Sequence, residues 1–317
     1  MAIVTRDELE VSLAAIRASV ADPREGILGP SSIVWQFGSE LGLFLGGGRA
    51  ALLQLAHPMV AHAIDHHSST RKNVVGRFQR TFHNVFAMVF GDLDTAFTAA
   101  RRVHTIHSKI AGTIAQPIGG WPAGARYHAN DPDALRWVHA TLVDTTLTMC
   151  DRFGERPSIE IKDGYVTQMN RFAALFGIPE RLLPASFAEH EAYMTRMLGS
   201  DRIAVASCAR EMGRFLVGRG GSHQTPFGRM LEAITASLLP ERLAREFELR
   251  ASPGLVRAGL GLLGRVQSRL PRAVVTMPAK IDAERRIAGR PSSKWSAWTE
   301  RQLFQLARRA TGSGLKP

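Results

Sequence analysis

Two short stretches of this chain hold side chains whose types and spacing suit chemistry at a bound cofactor. The first is Arg77-Phe78-Gln79-Arg80-Thr81 and the second is Val103-His104-Thr105-Ile106-His107. Arg77 and Thr81 are four apart, His104 and His107 three apart, and on a helix either spacing puts the pair on one face. A short link near Gly91-Asp92 joins the two segments, which predicts neighbouring helices of a helical hairpin. A haem pocket needs these parts: one neutral imidazole for the iron, apolar walls, and one or two hydrogen-bond donors for bound oxygen. Arg77 donates without losing its charge, and the Thr81 hydroxyl donates or accepts. On spacing alone the same residues suit, equally well, an ion-paired arginine, an ordinary helix threonine and two hydrogen-bonded core histidines.

A second histidine group invites a metal reading. His62 and His66 are four apart, with Asp65 and His67 beside them. Neither histidine group is the His-Glu-x-x-His of zinc proteases. No Glu-x-x-His pair of the carboxylate-bridged di-iron helices is present. His62, His66 and His67 remain candidates for a mononuclear site, against the alternative of hydrogen-bonded helix-end histidines. Gly259-x-Gly261-x-x-Gly264 matches the dinucleotide fingerprint by letter, but no strand precedes it. Its apolar spacing behind Pro253 predicts one amphipathic helix whose glycines serve close packing.

The elements that must position these residues are helical. Thr5 to Glu8 reads as a capping box. Asn130-Asp131-Pro132 gives a capping side chain followed by proline at the first helical position. Helical spacing recurs over 31–46, 48–66, 70–91, 92–112, 132–153, 163–177, 186–199, 201–218, 227–239 and 254–270. No segment alternates long enough to predict a strand, and the Gly- and Pro-rich stretch 113–130 is expected to be a long irregular connection.

Composition bounds the function classes. Of 317 residues 45% are hydrophobic, enough for a large core. The two cysteines, Cys150 and Cys208, lie in apolar helical surroundings and are expected to be buried thiols in a reducing compartment. The start MAIVTRDELE lacks a secretory pattern. The most apolar stretch, Leu41 to Ile64, is broken by Gly46, Gly47, Gly48, Arg49, His57 and Pro58, unlike a membrane span of about 20 apolar residues. A soluble, cytoplasmic protein is therefore expected. The formal charge of +12 suits nucleic acid or an anionic membrane. The arginines are scattered, so no nucleic acid partner is expected. The 254–270 helix, with Arg257, Arg265 and Arg269 beside Leu and Val, suits either peripheral contact with anionic membrane or an ordinary exposed face.

Taken in order, the motifs resemble one family, that of the bacterial rubber oxygenases (latex-clearing proteins) and the fungal MpaB-type oxygenases. The resemblance covers most of residues 25–240. It is carried by Gly29-Pro30-Ser31, by Gly48-Arg49-Ala50-Ala51-Leu52-Leu53-Gln54-Leu55-Ala56-His57-Pro58, and by His67-Ser68. Arg77-x-x-x-Thr81, His104-x-x-His107, Asp131-Pro132 and Trp137-Val138-His139-Ala140-Thr141-Leu142 complete it. It implies a globin-like helical core with haem b, His107 as proximal iron ligand, His104 as support, and Arg77 and Thr81 near the haem. It also implies cleavage of isoprenoid carbon–carbon double bonds by dioxygen.

Three departures stand out. Arg80 occupies the position of a rubber-oxygenase lysine that can close the iron site. Arginine stays protonated and has no lone pair to offer, so the resting iron is expected to lack that ligand. No glutamate lies between Glu40 and Arg77, which leaves Asp65 as the nearest candidate base. Neither an export signal nor an anchor is evident. The resulting expectation is an all-α, globin-like protein. Residues 1–24 form an N-terminal helix, 25–290 a haem-binding domain and 291–317 a basic tail. Haem b is held by His107 with His104, Arg77 and Arg80, while Arg77, Thr81 and Asp65 serve the oxygenation of an apolar, alkene-containing small molecule. Two rivals stay open: a haem-binding sensor or store, and a non-haem metalloenzyme on His62, His66 and His67.

Overall fold

The computed structural model describes residues 2–37, 41–67, 74–153, 156–219, 224–267, 269–271 and 275–293, with 296, 302 and 305. Helix α1 (Arg6–Ser19) begins at the expected capping box. Thr5 Oγ1 accepts from Glu8 N at 3.2 Å, and the Glu8 carboxylate accepts from Thr5 N at 2.7 Å. Its apolar residues Leu9, Leu13 and Ile16 recur at helical spacing and are buried.

The chain continues through α2 (Ile33–Phe37), a 3₁₀ turn over Leu41–Gly46, α3 (Gly47–Leu55) and α4 (Pro58–His67). Two expected spans are therefore shorter than their periodicity suggested. Among the described residues of 31–46 there are a five-residue helix and the 3₁₀ turn. The 48–66 stretch breaks at Ala56-His57, because Pro58 has no N–H to carry a helix through and instead opens α4.

Helices α5 (Val74–Phe90) and α6 (Leu93–His107) form the expected hairpin. Asp92 sets its turn, its carboxylate accepting from Thr95 N at 2.7 Å. The expected 92–112 helix ends at His107, and Ala111–Thr113 becomes strand β1. It pairs antiparallel with β2 (Arg126–His128) inside the stretch expected to be irregular. Gly112 lies opposite Tyr127 in this register, and a Cβ there would sit 2.4 Å from the Tyr127 hydroxyl. Only glycine lets the Tyr127 ring lie across the strand.

Helix α7 (Pro132–Phe153) matches its expected limits. Asp131 supplies the expected capping side chain, accepting from the N–H groups of Asp133 and Ala134 at 2.9 Å each. After α7 come α8 (Ile159–Ala174), α9 (Phe187–Leu198), α10 (Ser207–Leu216), α11 (Pro226–Leu238), α12 (Glu241–Glu246), α13 (Pro253–Gln267) and α14 (Pro278–Ile287), of which α8, α9 and α13 pack on α7. Among the described residues the only regular sheet is the two-stranded one, so the fold is all-α in class.

Helix α7 contributes to two apolar cores. Towards its end Val143 and Leu147 join Leu9, Trp35, Phe90, Phe97 and Phe172. Nearer its start Trp137 and Ala140 join Leu52, Leu53, Met212, Leu243 and Phe247. Both buried indoles are satisfied: Trp35 Nε1 donates to the Val89 carbonyl and Trp137 Nε1 to the Leu53 carbonyl, each at 2.9 Å. Cys150 and Cys208 are buried thiols outside any disulfide, as expected. Of the fingerprint-like glycines only Gly264 serves close packing, with a would-be Cβ 2.4 Å from the Phe153 carbonyl. Gly259 and Gly261 face open space, which corrects the packing account given for all three.

Candidate functional site

Two pairs of elements carry the candidate residues: α5 packs on α6 along their hairpin, and α4 packs on the β-hairpin that follows α6. Residues equally distant from the 91–92 turn lie level in an antiparallel pair. Arg77 and Thr81 on α5 are therefore level with residues 102–106 of α6, just short of His107. Thr81 is exposed, while the side chains of Arg77 and Arg80 lie outside the described residues.

The paired histidines of α6 have different surroundings. His104 is buried, and its Nε2 lies 3.0 Å from the Val4 carbonyl. A carbonyl only accepts, so this contact fixes the Nε2–H tautomer and commits that nitrogen to the fold. The same junction is closed by Val4 N donating to the Asn130 carbonyl at 2.9 Å, and by Asn130 Nδ2 donating to the His104 carbonyl at 3.4 Å. His104 thus ties the N-terminal segment to α6 and to the loop before α7. His107 is half-buried in the last turn of α6, where the chain turns into β1. Its neighbours Val103 and Ile110 are also half-buried.

The α4 histidines pack against the β-hairpin. His66 Nδ1 lies 2.7 Å from Tyr127 Oη, and His67 Nε2 lies 2.9 Å from the Ala111 carbonyl. The His62 and His66 rings are 5.4 Å apart, and His62 Nδ1 is 4.0 Å from Cys208 Sγ. Burial pushes the Tyr127 phenol above its ordinary range, and Asp65 and Cys208 reinforce the shift. Tyr127 therefore keeps a proton to share with His66. Burial and the neighbouring His66 lower the pKa of His62, with Asp65 opposing. Asp65, the candidate base, is half-buried within this group. Among the described residues no set of three or more His, Cys, Asp or Glu side chains is arranged to hold a metal ion. His62, His66 and His67 do not form a triad, because His66 and His67 turn to the Tyr127 phenol and a backbone carbonyl.

A second polar group is buried beside α7; of its side chains only Arg49 and His139 lie within the family-like motifs. Arg49 of α3 donates through Nε to the Leu238 carbonyl at 2.8 Å and through Nη1 to Thr145 Oγ1 at 2.9 Å. Its Nη2 donates to Asp144 Oδ2 at 2.6 Å. His190 of α9 approaches Asp144 Oδ1 at 3.9 Å. Burial lowers the pKa of His190, with Asp144 opposing and Arg49 adding to the fall. The imidazole of His139 lies near Phe172, with ring centroids 6.3 Å apart. Burial, with a smaller contribution from His190, lowers His139 to about 3. His57, packed on Trp121, is likewise lowered to about 3 by burial, with Arg202 adding to it. The signal for this group was the recurrence of Arg, His and Asp in otherwise apolar helices.

These histidines give stability a definite pH dependence. His57 and His139 titrate near 6.5 when unfolded and near 3 when folded. Below pH 6.5 the unfolded chain therefore binds protons that the folded chain refuses, and stability falls as pH falls towards 3. Each group contributes a slope of about 1.4 kcal/mol per pH unit well below its unfolded pKa. Urea unfolding between pH 6.5 and 5 should show this loss, and it should be smaller in His57→Gln protein. A stability independent of pH across that window would contradict the burial of neutral imidazoles.

No curated protein and no solved structure matches the chain. Residues 34–269 match the family model described as ER-bound oxygenase mpaB/B'/rubber oxygenase, catalytic domain. That span runs from α2 to the end of α13 and takes in the α5–α6 hairpin, the α4 histidines and the Arg49 network. With most of its length inside that match, the chain belongs to the ER-bound oxygenase mpaB/rubber oxygenase family.

Proposed function

We propose that this protein is a haem b-dependent oxygenase of an apolar small molecule with an alkene or isoprenoid portion. An oxygenase role follows from the family, so dioxygen and an organic substrate are its reactants. The observation that carries the haem reading is the α5–α6 hairpin. It holds the Arg77-x-x-x-Thr81 segment level with the last turns of α6, where His104 is taken up by Val4 and His107 stands one turn on. The donor set suits a haem: an imidazole partly screened from water, half-buried apolar neighbours, and cationic residues on the adjacent helix to meet propionates.

In this reading His107 holds the iron and His104 fixes the end of α6 that carries it. Arg77 and Thr81 supply hydrogen bonds where negative charge develops on oxygen. Arg80, with no lone pair, pairs with an anionic group. A bound haem supplies the activation of dioxygen. Asp65 is the proton acceptor, assisted by the neighbouring His66–Tyr127 pair. Cleavage of an alkene to two carbonyl groups places both oxygen atoms in the products and consumes no external reductant. Arg77→Ala and Thr81→Ala should each lower turnover of an isoprenoid alkene by about 10²–10³ at nearly unchanged haem content. Equal loss of haem and turnover, with loss of folding, would place these residues in the scaffold instead.

A further inference from the structure

Helix α13 buries one face and leaves a second apolar face outside. Leu260 is 3% exposed and packs with Met149, Ile234 and Leu238, and Gly264 closes on Phe153. On the other side Leu255 is 78% exposed, Leu262 58%, Leu263 40% and Val266 44%. Leu270, in the turn that follows, is 44% exposed. At about 100° per residue the four helical side chains fall within roughly 100° of the helix circumference. Arg265 lies along one margin of that stripe and Arg269 follows in the turn after the helix, whereas Arg257 sits on the opposite side of α13. From Leu249 to Ile281 the chain has no acidic residue, while Arg250, Arg257, Arg265, Arg269, Arg272 and Lys280 are all basic.

We propose that the outer face of α13 docks on an anionic lipid surface, with its leucines in the headgroup–acyl boundary and its arginines at the phosphates. An apolar stripe edged by cations is the pattern of a helix lying in that interface. Charge selects this occupant over two others. A second copy of the helix would bring arginines against arginines. The chain's own end from Lys294 to Pro317 is also cationic, with Glu300 its one acid. Among the described residues no helix is long and apolar enough to cross a membrane, so the contact is peripheral. The proposal is independent of haem and turnover, since it concerns a surface formed by α13 alone.

The test is co-sedimentation of the full chain with phosphatidylcholine vesicles, with and without phosphatidylglycerol. Binding is expected only with phosphatidylglycerol and should be lost in high salt. Arg269→Gln should weaken it about fivefold, whereas Arg257→Gln, on the opposite side of the helix, should change it less. Leu262→Gln with Val266→Gln should weaken it about tenfold or more. These positions are exposed, so an unchanged circular dichroism spectrum should accompany each loss. Binding to neither vesicle, or equal salt-insensitive binding to both, overturns the proposal. So does a solution dimer that Leu262→Gln converts to monomer while vesicles stay unbound.

Discussion

Asp144→Ala is expected to lower the stability of this protein by about 3–5 kcal/mol, the usual loss when one member of a buried ion pair is removed. The side chain of Arg49 is 7% exposed and that of Asp144 is 24% exposed, with 2.6 Å between them. Without the carboxylate, Arg49 keeps its bonds to Leu238 and Thr145, but its charge stays buried without a counterion. The loss is a large fraction of the total, because domains of this kind are stable by only about 5–15 kcal/mol. Arg49→Met combined with Asp144→Leu should recover much of it, since an apolar pair of similar volume avoids the desolvation of both charges. Urea unfolding at pH 7.5 measures both. A cost below about 1 kcal/mol for Asp144→Ala would mean that the pair behaves as an exposed one.

The second large effect concerns haem retention. His107→Ala is expected to abolish it, because the other imidazole of that last turn, His104, is committed to the Val4 carbonyl. His104→Ala should cost stability, since the Val4 carbonyl loses its donor, yet leave most of the haem in place. The ratio of haem to chain, from pyridine haemochromogen absorbance, separates the two variants. Equal haem in His107→Ala and unaltered protein would remove His107 as the ligand.

Local signals were legible in the sequence where their partners are near in the chain. The Thr5–Glu8 box and the Asn130-Asp131-Pro132 start each need only a few neighbouring residues, and both stand where expected. The α5–α6 hairpin was legible for the same reason: two amphipathic runs and a capped turn. The β-hairpin was not, because its strands are three residues long and their pairing rests on Tyr127 reaching the α4 histidines. Helices α12 and α14 were missed, the first for its brevity and the second because its sequence is polar and basic.

At the site the residue types were legible and their partners were not. His104 and His107 read alike in sequence, but His104 is claimed by a carbonyl a hundred residues earlier. Arg49 and Asp144 pair across 95 residues, and no local pattern announces that contact. His62, His66 and His67 looked like metal ligands by spacing, until Tyr127 and Ala111 supplied their actual neighbours.

The most direct test of the central claim is the absorption spectrum of the full-length protein, purified from cells supplied with a haem precursor. A Soret band and one haem per chain are predicted, with both lost in His107→Ala protein. A folded, colourless protein that takes up no haem on titration with haemin would contradict the account.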